Sequence, residues 1–426
     1  MGYLLELRSE FQGYSRNIRL FFLGNFLNQV GMGIYAIMYN LYIQALGYPN
    51  TVNGSIISIQ SLASALILIP IGMVSDRVGR KKVMLIGGWL VAISLLFRAI
   101  FEQENTLLIF AFMTGIFSAF ISVASIPLLA ENSRVDQRTT LFSYNFAIVM
   151  VAQVLGNLSG GLLTDFFQWF GISPIFSYRI TLLFGTFLCI SAMIPLLMIA
   201  EKPQEQSSLS TVAMFKQLLR DWSEGQAQLK IIFLYGIAQL IIGLGSGLVI
   251  PYLNLYFHDR FAVDNWVIGM VVSLGQAATA VAMMMGPFFV RRWGEVKTVV
   301  VLQLTSIPFL LLTGFTTNFY LAALGFFLRQ ALMNAGNPIQ QALIMGAIDD
   351  RHKGLANSVG QMVFMVGWSS MGPLSTTIVV QQGAYWGYVT VFSITSFLYV
   401  VGSLFFYMVF YKRLGLGHKQ VVKEEI

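Results

Sequence analysis

Charge is scarce in this chain. Only 11% of its 426 residues are Asp, Glu, Lys or Arg, less than half of the roughly 25% found in a soluble globular domain. Hydrophobic residues make up 56%, and the mean hydropathy is +0.70. That balance excludes a soluble globular protein and points to a polytopic membrane protein. Cysteine occurs once, as Cys189 inside an apolar run, so no intrachain disulfide can form. The three histidines, His258, His352 and His418, are peripheral, and the nineteen acids fall in loops, at span ends or in terminal segments. No nucleophile–base or metal-ligand spacing emerges, so no enzymatic activity, metal or cofactor is expected. The net charge of +7 is not a nucleic-acid signature, because the basic residues lie in short loops, as membrane topology requires. No cleavable signal peptide is visible, and Arg8, Arg16 and Arg19 among Glu6 and Glu10 suggest a short interfacial segment.

What the chain has in abundance is apolar runs of about twenty residues, the length that crosses a bilayer. Spans 1–6 are expected near 18–46, 52–74, 82–101, 106–130, 139–164 and 174–200. Spans 7–12 are expected near 229–257, 265–290, 297–316, 318–346, 354–381 and 384–411. The polar stretch 201–228 separates the groups and carries a candidate amphipathic helix around Thr211–Trp222. The expected organisation is thus a six-helix bundle over 1–200, a cytoplasmic linker over 201–228, a second six-helix bundle over 229–412 and a cytoplasmic tail over 413–426. With both termini inside, all of the 26 basic residues except Arg98, Arg179, Arg260 and Arg329 fall on the inner side, as the positive-inside rule demands. A plasma or inner cell membrane location follows as the expectation.

The halves repeat. At a shift of about 214 residues, Gly72 and Arg77 fall on Gly286 and Arg291, and Asn40-Leu41-Tyr42 on Asn254-Leu255-Tyr256. Gly79 with Gly294, Ser143 with Ser358 and Gly156 with Gly372 follow within two residues of that shift. Between spans 2 and 3 stands Gly72-Met-Val-Ser-Asp76-Arg77-Val-Gly79-Arg80-Lys81-Lys82. Gly72 would allow close helix approach and Gly79 a tight turn. Asp76 would meet a helix N-terminus or an arginine of a neighbouring helix, and the basic residues would hold the loop inside. The spacing G-x-x-x-D-R-x-G-R-[KR] resembles the loop 2–3 signature of the major facilitator superfamily of secondary transporters. The resemblance implies an all-α membrane protein with twelve transmembrane helices in two pseudo-symmetric six-helix bundles. It also implies a midplane substrate site between the halves, lined by spans 1, 4, 7 and 10, and a monomer.

Several residues are candidates for that site. Arg329 stands about eleven residues into span 10, roughly 16 Å deep, where a charge is by default functional. On the same helix Gln330, Asn334, Asn337 and Gln341 form one polar stripe, flanked by Arg329 and Gln340, and Pro338 removes a backbone hydrogen bond. The alternative is that Arg329 caps carbonyls or stacks on an aromatic ring. On span 1, Asn25, Asn28, Gln29, Tyr35, Tyr39 and Asn40 share an arc of about 140°. Span 7 adds Gln239, Ser246 and Asn254, span 11 adds Gln361 and Trp368, and span 4 adds only Ser118, Ser122 and Ser125. Asn40 and Asn254, near the outer ends, suit a structural or outer-gate role. Glu131, Arg134, Asp136 and Arg138 after span 4 could join the loop 2–3 charges, Arg80 among them, in an inner gate.

Ala152-x-x-x-Gly156-Asn157-x-x-Gly160-Gly161 in span 5 resembles the antiporter motif of exporting family members, departing at its first glycine and its proline, while span 11 keeps Gly372-Pro373. Drug–proton antiporters of the family usually carry an arginine in span 4, where Gly115 stands here. No buried titratable group is visible, so coupling to H+ or another ion would rest on Asp76, Glu131 or Asp136, or on the substrate. An arginine without a buried acid favours an anionic or zwitterionic amphipathic substrate over a cation. The preferred reading is a carrier that exports such a molecule by alternating access. Uptake or exchange of an organic anion and lipid flipping are the rivals.

Overall fold

The computed structural model describes residues 14–134, 138–200, 226–348 and 350–414, and every regular element among them is helical. Spans 1–6 are the helices Arg16–Ala45, Asn50–Val78, Arg80–Ile100, Glu104–Glu131, Arg138–Trp169 and Pro174–Leu197. Span 7 runs over Gln226–Val249, tightens through a 3-10 turn at Ile250–Tyr252 and resumes as Leu253–Phe261. Pro251 has no N–H to donate up the helix, which accounts for the break there. Spans 8, 9 and 10 are Asn265–Trp293, Glu295–Phe315 and Phe319–Gly346. Span 11 comprises Asp350–Ser370 and the start of Gly372–Leu414. The latter becomes span 12 beyond Gly383, whose φ of 77° suits glycine.

Ten stretches of the described residues are long and apolar enough to cross a membrane. One of them, Ala356–Tyr411, holds spans 11 and 12 together, and span 10 is too polar to be counted. Dividing the first at Gly383 and adding the second reaches the twelve spans expected. The stretch Thr211–Trp222 and Asp136 lie outside the described residues, as do the side chains of Asp76 and Arg77.

Spans 1–6 pack on one another as one bundle and spans 7–12 as the other. The two meet where span 5 runs along span 8 and span 2 along span 11. The repeat seen in the sequence reaches into the contacts. Tyr42 and Tyr256, both buried, donate to the carbonyls of Ala99 and Thr313 respectively. Gly79 and Gly294, at φ 106° and 77°, each end one helix and begin the next. These turns mark the basic end of the molecule, and Ala45, Trp169, Phe261 and Phe315 mark the opposite end. Gly156 makes the close approach expected of it, since an added Cβ would meet the Val30 carbonyl and Gly33 on span 1. Gly72 does not, for a Cβ there would meet only Val123 at 3.6 Å. Its part in helix packing was overstated by the motif.

Candidate functional site

Span 10 supplies the largest share of one cavity. Its polar stripe projects Arg329, Gln330, Asn334, Asn337 and Gln341 into a space of about 350 Å³, shared with Gln239 of span 7 and Gln361 and Trp368 of span 11. The helical period alone puts Gln330, Asn334, Asn337 and Gln341 within about 60° of one another, with Arg329 on the flank of that stripe. Arg329 is only 3% exposed. It donates from Nη2 to the Tyr399 hydroxyl at 2.6 Å and from Nη1 to Gln330 Oε1 at 2.8 Å, and its guanidinium stands 5.4 Å from the Tyr399 ring centre. Its Nε is buried without a partner. Asn337, Gln341 and Asn357, toward the basic end, are exposed.

Two further cavities border span 1. Asn28 and Gln29 line one of about 290 Å³ with Gln153 and Asn157 of span 5 and Gln276 of span 8. Tyr35 lines the other, also about 290 Å³, which is shared with Tyr39, Gln60, Arg98 and Trp368. Its hydroxyl is already committed, donating to Leu95 O and pairing with Thr186 Oγ1. Asn25, on the same arc, faces span 5. It borders none of these cavities and donates to Asn145 Oδ1 at 2.7 Å, which ties span 1 to span 5. Among the described residues no acid lines any of the three cavities, so the described lining offers one sign of charge together with neutral amides.

Arg98, counted from the sequence among the few basic residues on the outer side, is buried in the protein. It lies in the last turn of span 3, is 4% exposed, donates to Gln60 Oε1 at 2.8 Å and covers the Tyr39 ring at 4.0 Å. Arg329 is therefore not the only buried cation. Gln60, the one amide deep inside span 2 beyond Asn53, was the sequence signal that could have indicated its partner. Gly115 packs so closely on the backbone of Gln60 that an added Cβ would meet its carbonyl, which leaves no room for an arginine at that point of span 4.

The end opposite the basic loops is held shut by bonds between the halves. Asn40 and Asn254, repeat mates, are bonded at 3.1 Å. Each also donates to a carbonyl three residues before its mate, Asn40 to Pro251 O at 2.8 Å and Asn254 to Ile37 O at 2.7 Å. Asp259 accepts from Gln44 and Asn50 of the first half and from Tyr388 of its own. Asp165 of span 5 accepts from Asn265 Nδ2 at 2.6 Å and from the Trp266 backbone N–H at 2.7 Å, at the N-terminus of span 8. Gly372 stands against Gly54 and Ser58 of span 2, and Pro373 follows it in the first turn, where a missing N–H is harmless. Near the basic end, Arg80 and Glu131 pair at 3.1 Å, joining spans 3 and 4 of one half. Arg134 takes part in an interaction of its own.

Two helical bundles with polar cavities inside and between them have the form of a membrane carrier. The chain belongs to the Major Facilitator Superfamily, whose model matches residues 21–234 and 235–425. The multidrug resistance protein MdtG of Enterobacter lignolyticus (strain SCF1) is 26% identical over 403 residues, covering 92% of this chain and 91% of that protein. The protein of the same name from Proteus mirabilis (strain HI4320) is 26% identical over 407 residues, covering 92% and 95%. Among solved structures, the nucleoside transporter NupG superposes with a TM-score of 0.73 at 15% identity over 93% of this chain and 99% of that one. A bacterial homologue of the human lysosomal transporter Spinster, inward-facing and unoccupied, gives 0.74 at 14% identity over 92% and 95%. At those identities the structures attest the fold alone.

Proposed function

We propose that this major facilitator protein is a secondary active carrier exporting a small amphipathic organic molecule, anionic or zwitterionic, by alternating access. The observation that carries the substrate class is Arg329, buried in a cavity whose lining holds amides, aromatics and no acid. A guanidinium keeps its proton in any protein environment, and its burial costs several kcal/mol unless an opposite charge arrives. An anionic group meeting Arg329, with the amides of span 10 beside it, supplies that charge. Trp368 and Phe364, lining the same cavity, suit an apolar body.

Export is favoured by the relatives' name, multidrug resistance protein, and by the glycine pattern of span 5. The excess of basic residues puts both termini and the basic loops in the cytoplasm of a cell whose plasma or inner membrane holds the carrier. With that orientation, the bonds between Asn40 and Asn254 and around Asp165 and Asp259 close the outer side, and the cavity faces inward. The carrier works as a monomer. H+ or another ion drives it through acids near the span ends or through the substrate itself.

Inside-out vesicles from cells producing the protein test the direction. A labelled amphipathic carboxylate should accumulate in them when a proton gradient is imposed, and not in vesicles carrying Arg329→Ala. Equal accumulation in both, or accumulation only of cationic compounds, refutes the reading.

A further inference from the structure

Arginines near a helix end normally snorkel toward water. Arg98, two residues from the end of span 3, does the reverse. Its guanidinium turns into the protein, against Gln60 of span 2 and flat on Tyr39 of span 1, and it is 4% exposed. A guanidinium has five N–H donors. The described bonds use one of them, and Nε is buried with no partner. The Tyr39 hydroxyl beside it is likewise buried and unpartnered. Both residues line a cavity of about 290 Å³ that also touches Pro251 and Trp368 of the second half and that no acid lines. A neutral amide and a π face are weak compensation for a desolvated cation.

The repeat sharpens the contrast between halves. At the shift of 214 residues, the position matching Arg329 is Gly115, which is packed on the Gln60 backbone. The first half therefore has no cation on span 4 and brings one in from span 3, held by the side chain of that same glutamine. Trp368 lines both the Arg98 cavity and the Arg329 cavity. Each half thus contributes one buried guanidinium, to two cavities that share Trp368 in their lining.

We propose that Arg98, with Tyr39 and Gln60, forms a second anion subsite, and that the carrier's substrates include organic dianions whose two acidic groups are separated by an apolar spacer, one group at Arg98 and the other at Arg329. This deepens the anion-carrier reading and rests on it for the second pole of the ligand.

The test is calorimetric titration of the purified full-length protein with an aliphatic α,ω-dicarboxylate, azelate, and with its monomethyl ester. The diacid should bind the wild-type protein about tenfold tighter than the monoester, the effect of one added charge-assisted contact. Arg98→Gln should bring the diacid to within about twofold of the monoester, as expected for one lost contact. Arg98→Lys should keep part of the advantage. If Arg98→Gln does not fold, Gln60→Leu, which removes the acceptor that orients Arg98, replaces it and should also weaken the diacid selectively. Equal binding of diacid and monoester to the wild-type protein, binding of neither, or an advantage that survives both variants overturns the subsite. Failure of the Arg329 reading has a different signature, namely monoester binding that is unchanged in Arg329→Ala.

Discussion

Removing Asp165 should open the closed end of the molecule. Its carboxylate, on a residue 5% exposed, accepts from Asn265 Nδ2 at 2.6 Å and from Trp266 N–H at 2.7 Å, both belonging to the opposite half. Hydrogen bonds to a charged group contribute about 1.5–3 kcal/mol each, and an acid at a helix N-terminus adds about 0.3–1 kcal/mol. When the halves part, water takes over some of these bonds. A net loss of about 3 kcal/mol for Asp165→Ala is therefore reasonable, and it shifts the balance between closed and open roughly a hundredfold. Asp165→Asn, which keeps an acceptor, should lie between Asp165→Ala and the wild type. The assay is a spin-label distance between Asn105→Cys and Thr317→Cys, exposed positions at this end of the two halves. Cys189 is buried and stays unlabelled. The wild-type protein should give one short distance population, and Asp165→Ala should add a longer one. An unchanged distribution in Asp165→Ala refutes the latch.

The other expectations concern packing and pairing. Gly156→Ala should lower the melting temperature, because its Cβ enters the Val30 carbonyl and overpacking costs about 1–3 kcal/mol. Gly72→Ala, with only Val123 at 3.6 Å, should be neutral or stabilising by up to about 1 kcal/mol, and equal melting shifts in the two would contradict the packing described. Asn40→Leu and Asn254→Leu should each weaken closure by about 1 kcal/mol, within the range measured for polar contacts between membrane helices. The double variant should be less than additive in the same spin-label assay, since the two side chains bond each other. Asn25→Leu should reduce thermal stability by breaking the bond to Asn145 while leaving ligand affinity unchanged. Weakened binding in Asn25→Leu would return that residue to the site.

Much of this architecture could be read from the chain because a bilayer permits few solutions. Every buried backbone group must be satisfied within a helix, so apolar runs of the right length define the spans, and lysine and arginine define the sides. The span 10 stripe was legible for the same reason, since a helical period puts Gln330, Asn334, Asn337 and Gln341 on one face, with Arg329 on its flank, whatever packs around it. Arg98 was not legible. Its place near a helix end looks like a loop charge, and only the tertiary position of Gln60 and Tyr39 reveals that the long side chain turns inward. Asp165 and Asp259 also read as span-end acids, because their partners are in the other half of the chain. Asn25 could as well bond a neighbouring helix as a ligand, and it bonds Asn145 of span 5. An arc of about 140° is wide enough to face both a cavity and span 5, and position on the arc does not say which.

The central claim is that Arg329 receives the anionic group of the substrate. Thermal stabilisation of the purified protein across a panel of amphipathic anions, zwitterions and cations, beside Arg329→Ala, tests it most directly. Ligands present at about a hundred times their dissociation constant contribute roughly 2.7 kcal/mol to the folded state, which a melting curve resolves. The account predicts that anions and zwitterions raise the wild-type melting temperature, that cations do not, and that the shift disappears in Arg329→Ala. Stabilisation by cations, or an equal anion shift in the variant, would contradict it and leave Arg329 as a packing residue held by Tyr399.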